Sequence, residues 1–198
     1  DGNIAAAVRT YDKRGNVLWS ADLDKARAEL VQDWKAATES TGDMPAVYAS
    51  TNAQVHALNT EIRVARKELG QLGTMSHAFE VEKREEKRTI LLSENDRIIF
   101  TSSVRDRATG LDLRNGEAGT VLKIEGGRIT VRTDGASGRT FTFDADENRG
   151  WDLGYASTVY KSQGKTKGQA WALHDSKFAW NSSTAYVGLT RHKSDFRL

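Results

Sequence analysis

The chain contains no cysteine, which excludes a disulfide framework and thiolate metal ligation. Its four histidines, at 56, 77, 174 and 192, lack the short helical spacings of a zinc site, so no structural metal is expected. No apolar run approaches the length that crosses a bilayer, and no basic-then-apolar leader opens the sequence; a cytoplasmic setting without membrane insertion is expected. An excess of one charge is missing too. Twenty-nine Lys and Arg stand against 27 Asp and Glu, a formal net charge of +2, so no global field drives the chain onto a polyanion and any such site must be local. A phosphate-binding loop is missing despite the tripeptide Gly164-Lys165-Thr166. That loop needs a glycine five residues before the Gly-Lys-Thr end, where two tight turns aim backbone N–H groups at phosphates. Val159 occupies the position, and a valine there is strained at positive φ.

What is present is ample for one medium domain or two small ones: 198 residues, 38 % of them hydrophobic. The sequence opens on Asp1 rather than Met and ends two residues after a possible strand start at Phe196, so it reads as a piece of something longer. Ile4, Ala7, Val8 and Tyr11 predict a helix closed near Gly15. After Asp22 as N-cap, Leu23, Ala26, Leu30, Trp34 and Ala37 form a second apolar stripe, and both helices are expected on a shared core. The run Pro45 to Ser50 predicts a strand; Thr51 with Gln54 forms a capping box opening a helix. Val55, Leu58, Ile62, Ala65 and Leu69 make its stripe and Gly70 its stop. Strand, tight turn and helix define a parallel α/β unit.

From about His77 the period shortens to two. Runs such as "DRIIFTSS", "GTVLKIE", "RITVRTD" and "RTFTFDAD" are separated by turn signals at Gly126-Gly127, Asp134-Gly135 and Ser137-Gly138, which predicts a small antiparallel barrel over residues 77–150. The mixed-charge run Glu80 to Arg88 reads as a solvated hairpin arm. After Trp151 the α/β character returns, with a buried strand in Gln169 to Asp175 and a helix in "SSTAYVGLTRHK". The architecture expected is an α/β domain, 1–76 with 151–198, interrupted by an all-β insertion.

Several segments carry a family likeness. "GYASTVYKSQGKTKG" (Gly154 to Gly168) followed by "TAYVGLTRHK" (Thr184 to Lys193) resembles motifs V and VI of superfamily 1B helicases, the RecD-like group. "AVYASTNAQVHALNTEIR" is similar to motif IV in the helicase part of conjugative relaxases of the TraA type, and "NDRIIF" with "LDLRNGEAGTVLKIEGGRITVR" resembles the SH3-like barrel inside the second motor lobe of such enzymes. "LTRHK" in place of the RecD-like "LTRAR" tilts the likeness toward the relaxases.

The resemblance implies a RecA-like second lobe with an inserted SH3-like barrel, in a DNA helicase that uses ATP and magnesium held mainly by a first lobe absent from this chain. The chain alone lacks the P-loop and the acidic motif and is not expected to hydrolyse ATP. Partners implied are single-stranded DNA, the missing N-terminal lobe and the conjugation machinery. By similarity Arg191 is the catalytic arginine finger that completes the charge around the γ-phosphate; a solvated arginine near a helix end is the plain alternative. Thr190 and Arg191 with Gln163 and Gly164 would face the nucleotide, while Thr158, Tyr160 and Lys161 would face the single strand. Thr51 and Asn52 of motif IV are further DNA-binding candidates, Asn52 being equally suited to satisfying its own turn.

Two departures stand out: Tyr160 replaces a common His, removing any imidazole charge, and Asn52 replaces an Arg found in some relatives. Arg63 reads as a surface charge rather than a substitute. Arg105, Arg107, Arg114, Lys123, Arg128, Arg132 and Arg139 could line a backbone track, although interleaved acids fit a solvated strand face as well. Tryptophans are expected in the core, with Trp151 and Trp180 near enough to the motifs to stack. Two other readings stay open: a non-enzymatic lobe that binds single-stranded DNA or proteins, and a RecD-like repair helicase.

Overall fold

Every helix among the described residues begins or ends where the side chains dictate. The computed structural model describes residues 4–83, 86–105, 112–134, 138–159, 167–174 and 192–198. Helix α1 (Ile4–Lys13) stops at Gly15, whose φ of 73° lets the Gly15 N–H reach Asp12 O at 2.9 Å and the Asn16 N–H reach Tyr11 O at 2.9 Å. Helix α2 (Leu23–Thr41) starts under Asp22, whose carboxylate accepts from the Asp24 N–H. Strand β1 (Ala46–Ala49) leads into helix α3 (Asn52–Glu68), which ends in a Schellman pair, Gly70 N–H to Lys67 O and Gln71 N–H to Arg66 O, both at 3.0 Å.

The chain divides into two units, residues 1–65 with 155–198 and residues 66–154. The first holds a four-stranded parallel sheet in the order β11 (Ala156–Thr158), β1, β12 (Lys167–Leu173), β13 (His192–Arg197). Strand alternation gives this sheet two buried faces. Val47 and Ala49 of β1, Ala156, Trp171 and Leu173 join Val31 and Trp34 of α2 and Val55, Leu58, Ile62 and Ala65 of α3 in one cluster. Tyr48, Ala170, Ala172 and Val159 form the other, against which Tyr11 packs. The two N-terminal helices therefore do not share a core: α2 supplies one face, and the described contact of α1, through Tyr11, is with the opposite one. Trp34 is 1 % exposed and its indole N–H donates to Pro45 O at 3.0 Å, which anchors α2 at the entrance to β1. Arg27 ties α2 to α3 through Glu61 at 2.6 Å; this carboxylate raises the guanidinium pKa above its ordinary value despite partial burial.

The second unit holds antiparallel sheets. β2 (His77–Lys83) and β3 (Glu86–Leu92) form the expected hairpin arm. A five-stranded sheet runs β10 (Trp151–Leu153), β4 (Arg97–Phe100), β7 (Ala118–Glu125), β8 (Arg128–Thr133), β9 (Thr140–Asp144), and β5 (Val104–Arg105) pairs with β6 (Asp112–Leu113). Gly126 and Gly127, both at positive φ (53° and 83°), make the two-residue turn between β7 and β8. Phe143 bridges two edge-on aromatic contacts, to Phe100 at 5.3 Å and Trp151 at 5.9 Å. Trp151–Leu153 was expected to reopen the α/β segment; instead it pairs antiparallel with β4, because a buried triplet opposite Ile98–Phe100 completes this sheet. The arm is pinned within its unit by Arg88 to Asp152, by Arg149 to Glu80 at 2.8 Å and by Phe79 edge-on to Trp151 at 5.8 Å. No helix among the described residues is long and apolar enough to cross a membrane.

Candidate functional site

Parallel sheets offer their binding edge where the strands end, because loops and helix starts gather there. Three strand ends coincide. In the parallel registers Ala49 lies opposite both Thr158 and Leu173, so the exits of β11, β1 and β12 are aligned side by side, at about 4.8 Å per strand. Val159 leaves β11 there, Ser50-Thr51-Asn52 leaves β1, and the exposed His174 leaves β12. Residues of the expected motifs IV and V, far apart in sequence, thus meet on one edge.

The turn after β1 is a complete capping box. Thr51 Oγ1 accepts the Gln54 N–H at 3.2 Å, while Gln54 Oε1 accepts the N–H groups of Ser50 at 3.2 Å and Thr51 at 3.4 Å. Thr51 is therefore the cap, with Gln54 buried behind it at 6 % exposure, and Asn52 is the first helical residue, exposed to solvent. Thr158 is half-buried at the end of β11. Tyr160, Lys161, Gln163, Gly164, Thr190 and Arg191 lie outside the described residues, as do Arg107 and Trp180. β13 opens at His192, so His192 and Lys193 are strand rather than the end of the expected helix, and the strand starts before Phe196. Val159 is a core residue, 2 % exposed, and among the described non-glycine residues positive φ occurs at Asn95; the backbone at 159 is not that of a phosphate nest.

The sequence reading passed over Asn59. It is 2 % exposed on α3, and its Oδ1 accepts two successive N–H groups, Tyr155 at 3.0 Å and Ala156 at 2.7 Å, at the head of β11. The available signal was a polar residue inside the apolar stripe of Val55, Leu58 and Ile62. Arg63 is not a surface charge: it is 7 % exposed, one turn further on the same helix. Of the basic residues of the antiparallel sheets, Arg105 pairs with Asp112 at 3.6 Å, Lys123 with Glu125 at 2.7 Å and Arg139 with Glu117 at 3.8 Å, which leaves less charge for a polyanion than the sequence implied. Glu125 raises the pKa of the Lys123 ammonium. Trp34, Trp151 and Trp171 are buried, as expected of core residues, whereas Trp19 is 77 % exposed with its N–H on Asp12 at 3.0 Å.

This mixed α/β fold, with one parallel sheet and several antiparallel ones, is similar to that of Pif1 helicase lobes. Pif1 from Bacteroides in complex with ADP-AlF3 and single-stranded DNA matches with a TM-score of 0.58 at 22 % identity, over 97 % of this chain and 46 % of that one. Bacteroides Pif1 bound to single-stranded DNA matches at 0.55 and 23 % identity, over 76 % of this chain and 39 % of that one. The Pif1 helicase of Candida albicans matches at 0.52 and 16 %, over 85 % and 49 %.

In sequence the chain is homologous to conjugal transfer proteins called TraA. It is 28 % identical to that of Rhizobium radiobacter over 200 residues, 100 % of this chain and 17 % of the relative, and 26 % identical to that of Agrobacterium fabrum over 198 residues, again 17 % of the relative. The chain thus spans about a sixth of the length of these relatives. No protein-family model matches it.

Proposed function

We propose that this chain is the second motor lobe of an ATP-dependent helicase that translocates on single-stranded DNA within a conjugative relaxase. The observation that carries this reading is the aligned exit of β1 and β11, which sets Ala49 opposite Thr158, so that the turn holding Thr51 and Asn52 leaves the same edge of the parallel sheet. Homology along the whole chain to TraA proteins, and a fold like that of Pif1 solved with single-stranded DNA and ADP-AlF3, support it.

In this reading Asn52, Thr158, Tyr160 and Lys161 contact the single strand, and Thr51 holds the turn that presents Asn52. Gln163, Gly164, Thr190 and Arg191 face a nucleotide whose phosphates and magnesium are held by a first lobe. The five-stranded unit is the inserted SH3-like barrel. Phosphoryl transfer needs positive charge that arrives as the cleft closes, and Arg191 supplies it as a planar, permanently charged fork. The second lobe thereby couples closure around ATP to its grip on DNA.

The test uses the longer gene product that carries this chain. Arg191→Ala should lower DNA-stimulated ATP hydrolysis by about 10³-fold or more and leave binding of an oligothymidylate in place. Full hydrolysis by that variant refutes the finger.

A further inference from the structure

We infer that Asn59 is a positioning residue for single-stranded DNA: from inside α3 its carboxamide oxygen fixes the start of β11, and thereby the placement of Thr158 beside the end of β1. The inference rests on the reading of the carboxyl edge as a DNA contact. It adds to that edge a residue that does not touch the ligand.

Strand β11 has three residues and, among the described residues, lies at the edge of the parallel sheet, paired with β1 on one side. A short edge strand held from one side leaves backbone N–H groups that must find another acceptor once buried. Asn59 Oδ1 takes one of them, from Ala156 at 2.7 Å, together with the N–H of Tyr155 just before the strand at 3.0 Å. A carboxamide 2 % exposed among Val55, Leu58 and Ile62 is stabilising there only through what it holds, because asparagine is a weak helix former and its desolvation is unfavourable.

The geometry makes this hold consequential. Asn52, at the opposite end of the link, begins the same helix two turns earlier, roughly 10 Å along the axis. Thr158 lies two residues beyond Ala156, roughly 7 Å along the strand. One helix therefore both presents the motif IV residues and clamps the strand that delivers the motif V residues. If the clamp is removed, β11 keeps its pairing to β1 but loses the contact that sets its position relative to α3. DNA affinity should then suffer more than the chemistry on the nucleotide.

The experiment compares wild type, Asn59→Ala and Asn59→Asp in the longer gene product, measuring ATP hydrolysis against oligothymidylate concentration. Asn59→Ala should raise the half-saturating concentration about tenfold, a larger change than in the maximal rate. Asn59→Asp keeps an oxygen acceptor for both N–H groups, so although a carboxyl group buried there lowers thermal stability, its half-saturating concentration should stay closer to wild type than that of Asn59→Ala. A purely structural role would lower thermal stability and maximal rate without moving the half-saturation, and that result overturns the proposal. Amide exchange on the wild-type chain gives a second arm that does not depend on any variant folding: Tyr155 and Ala156 should be protected like the amides of β1, and exchange as fast as an open strand edge overturns the proposal. Absence of any DNA stimulation in wild type would refute the motor-lobe reading instead.

Discussion

The capping box after β1 allows a quantitative test of how the candidate edge is built. Thr51→Ala removes the hydroxyl that accepts the Gln54 N–H at 3.2 Å, and loss of such a cap costs about 1 kcal/mol. Gln54→Ala withdraws the single oxygen that accepts from Ser50 at 3.2 Å and Thr51 at 3.4 Å. Gln54 is 6 % exposed, so its loss removes two accepted hydrogen bonds from a part-buried turn and should cost about 1–3 kcal/mol. The two side chains hold one another in place, so the double variant should cost less than the sum of the singles by about 0.5 kcal/mol or more. Thr51→Ser keeps the hydroxyl and should stay close to wild type. Urea unfolding followed by circular dichroism reads these differences; for a chain of this size 1 kcal/mol also moves Tm by about 2–4 °C. Strict additivity, or equal stability of Thr51→Ala and Thr51→Ser, would show that the box is not what starts α3.

Two substitutions test the second unit. A Cβ at Gly154 would lie 2.8 Å from Ile98 C and 2.9 Å from Ile98 O, both backbone atoms, so Gly154→Ala should destabilise by about 1–3 kcal/mol in urea unfolding; an unchanged midpoint would refute that packing. Asp152 accepts from Arg88 and from its neighbour Leu153 N–H at 2.7 Å, so Asp152→Ala should cost about 1–3 kcal/mol, and a variant as stable as wild type would show that the hairpin arm is not held there.

Local chemistry made much of this fold legible. The Asp22 cap, the Thr51–Gln54 box, the stop at Gly70 and the Gly126-Gly127 turn each depend on a few neighbouring residues, and each is found where the sequence places it. What was missed depends on partners distant in the chain. The triplet Trp151–Leu153 is too short to show a period, and β4 decides which sheet takes it. Tyr11 reads as part of an amphipathic stripe, but a two-faced sheet offers two cores and the sequence does not say which one it meets. Arg63 looks solvated because charge usually is, yet it falls on the inner side of α3. For the site, the sequence offers Thr51, Asn52 and Thr158 as separate candidates; that the turn after β1 and the end of β11 share one edge comes from the parallel pairing of the two strands across the whole inserted unit.

That pairing also decides which side of the sheet Thr158 serves. Ala156 joins the cluster beneath α2 and α3 with Val47 and Ala49, and Thr158, two residues on, shares its parity and so falls on the α3 side. A slip of one residue would put Ser157 there and turn Thr158 to the other face. Within the strand, side-chain burial opposes such a slip only weakly, since seating Ala156 inward rather than Ser157 is worth about one methyl group, roughly 0.8 kcal/mol; just past it, Val159, buried with Tyr48, Ala170 and Ala172 on the opposite face, adds about 1.5–3 kcal/mol. The two hydrogen bonds to Asn59 contribute about 0.5–1.5 kcal/mol each, and a slip would pull both N–H groups away from their common acceptor inside a buried environment. Within the strand itself the larger restraint is thus on the backbone. In a strand this short, with side chains this small, the register of the candidate edge is set by a carboxamide on the neighbouring helix together with the buried Val159 just past the strand, more than by the side chains of the strand itself.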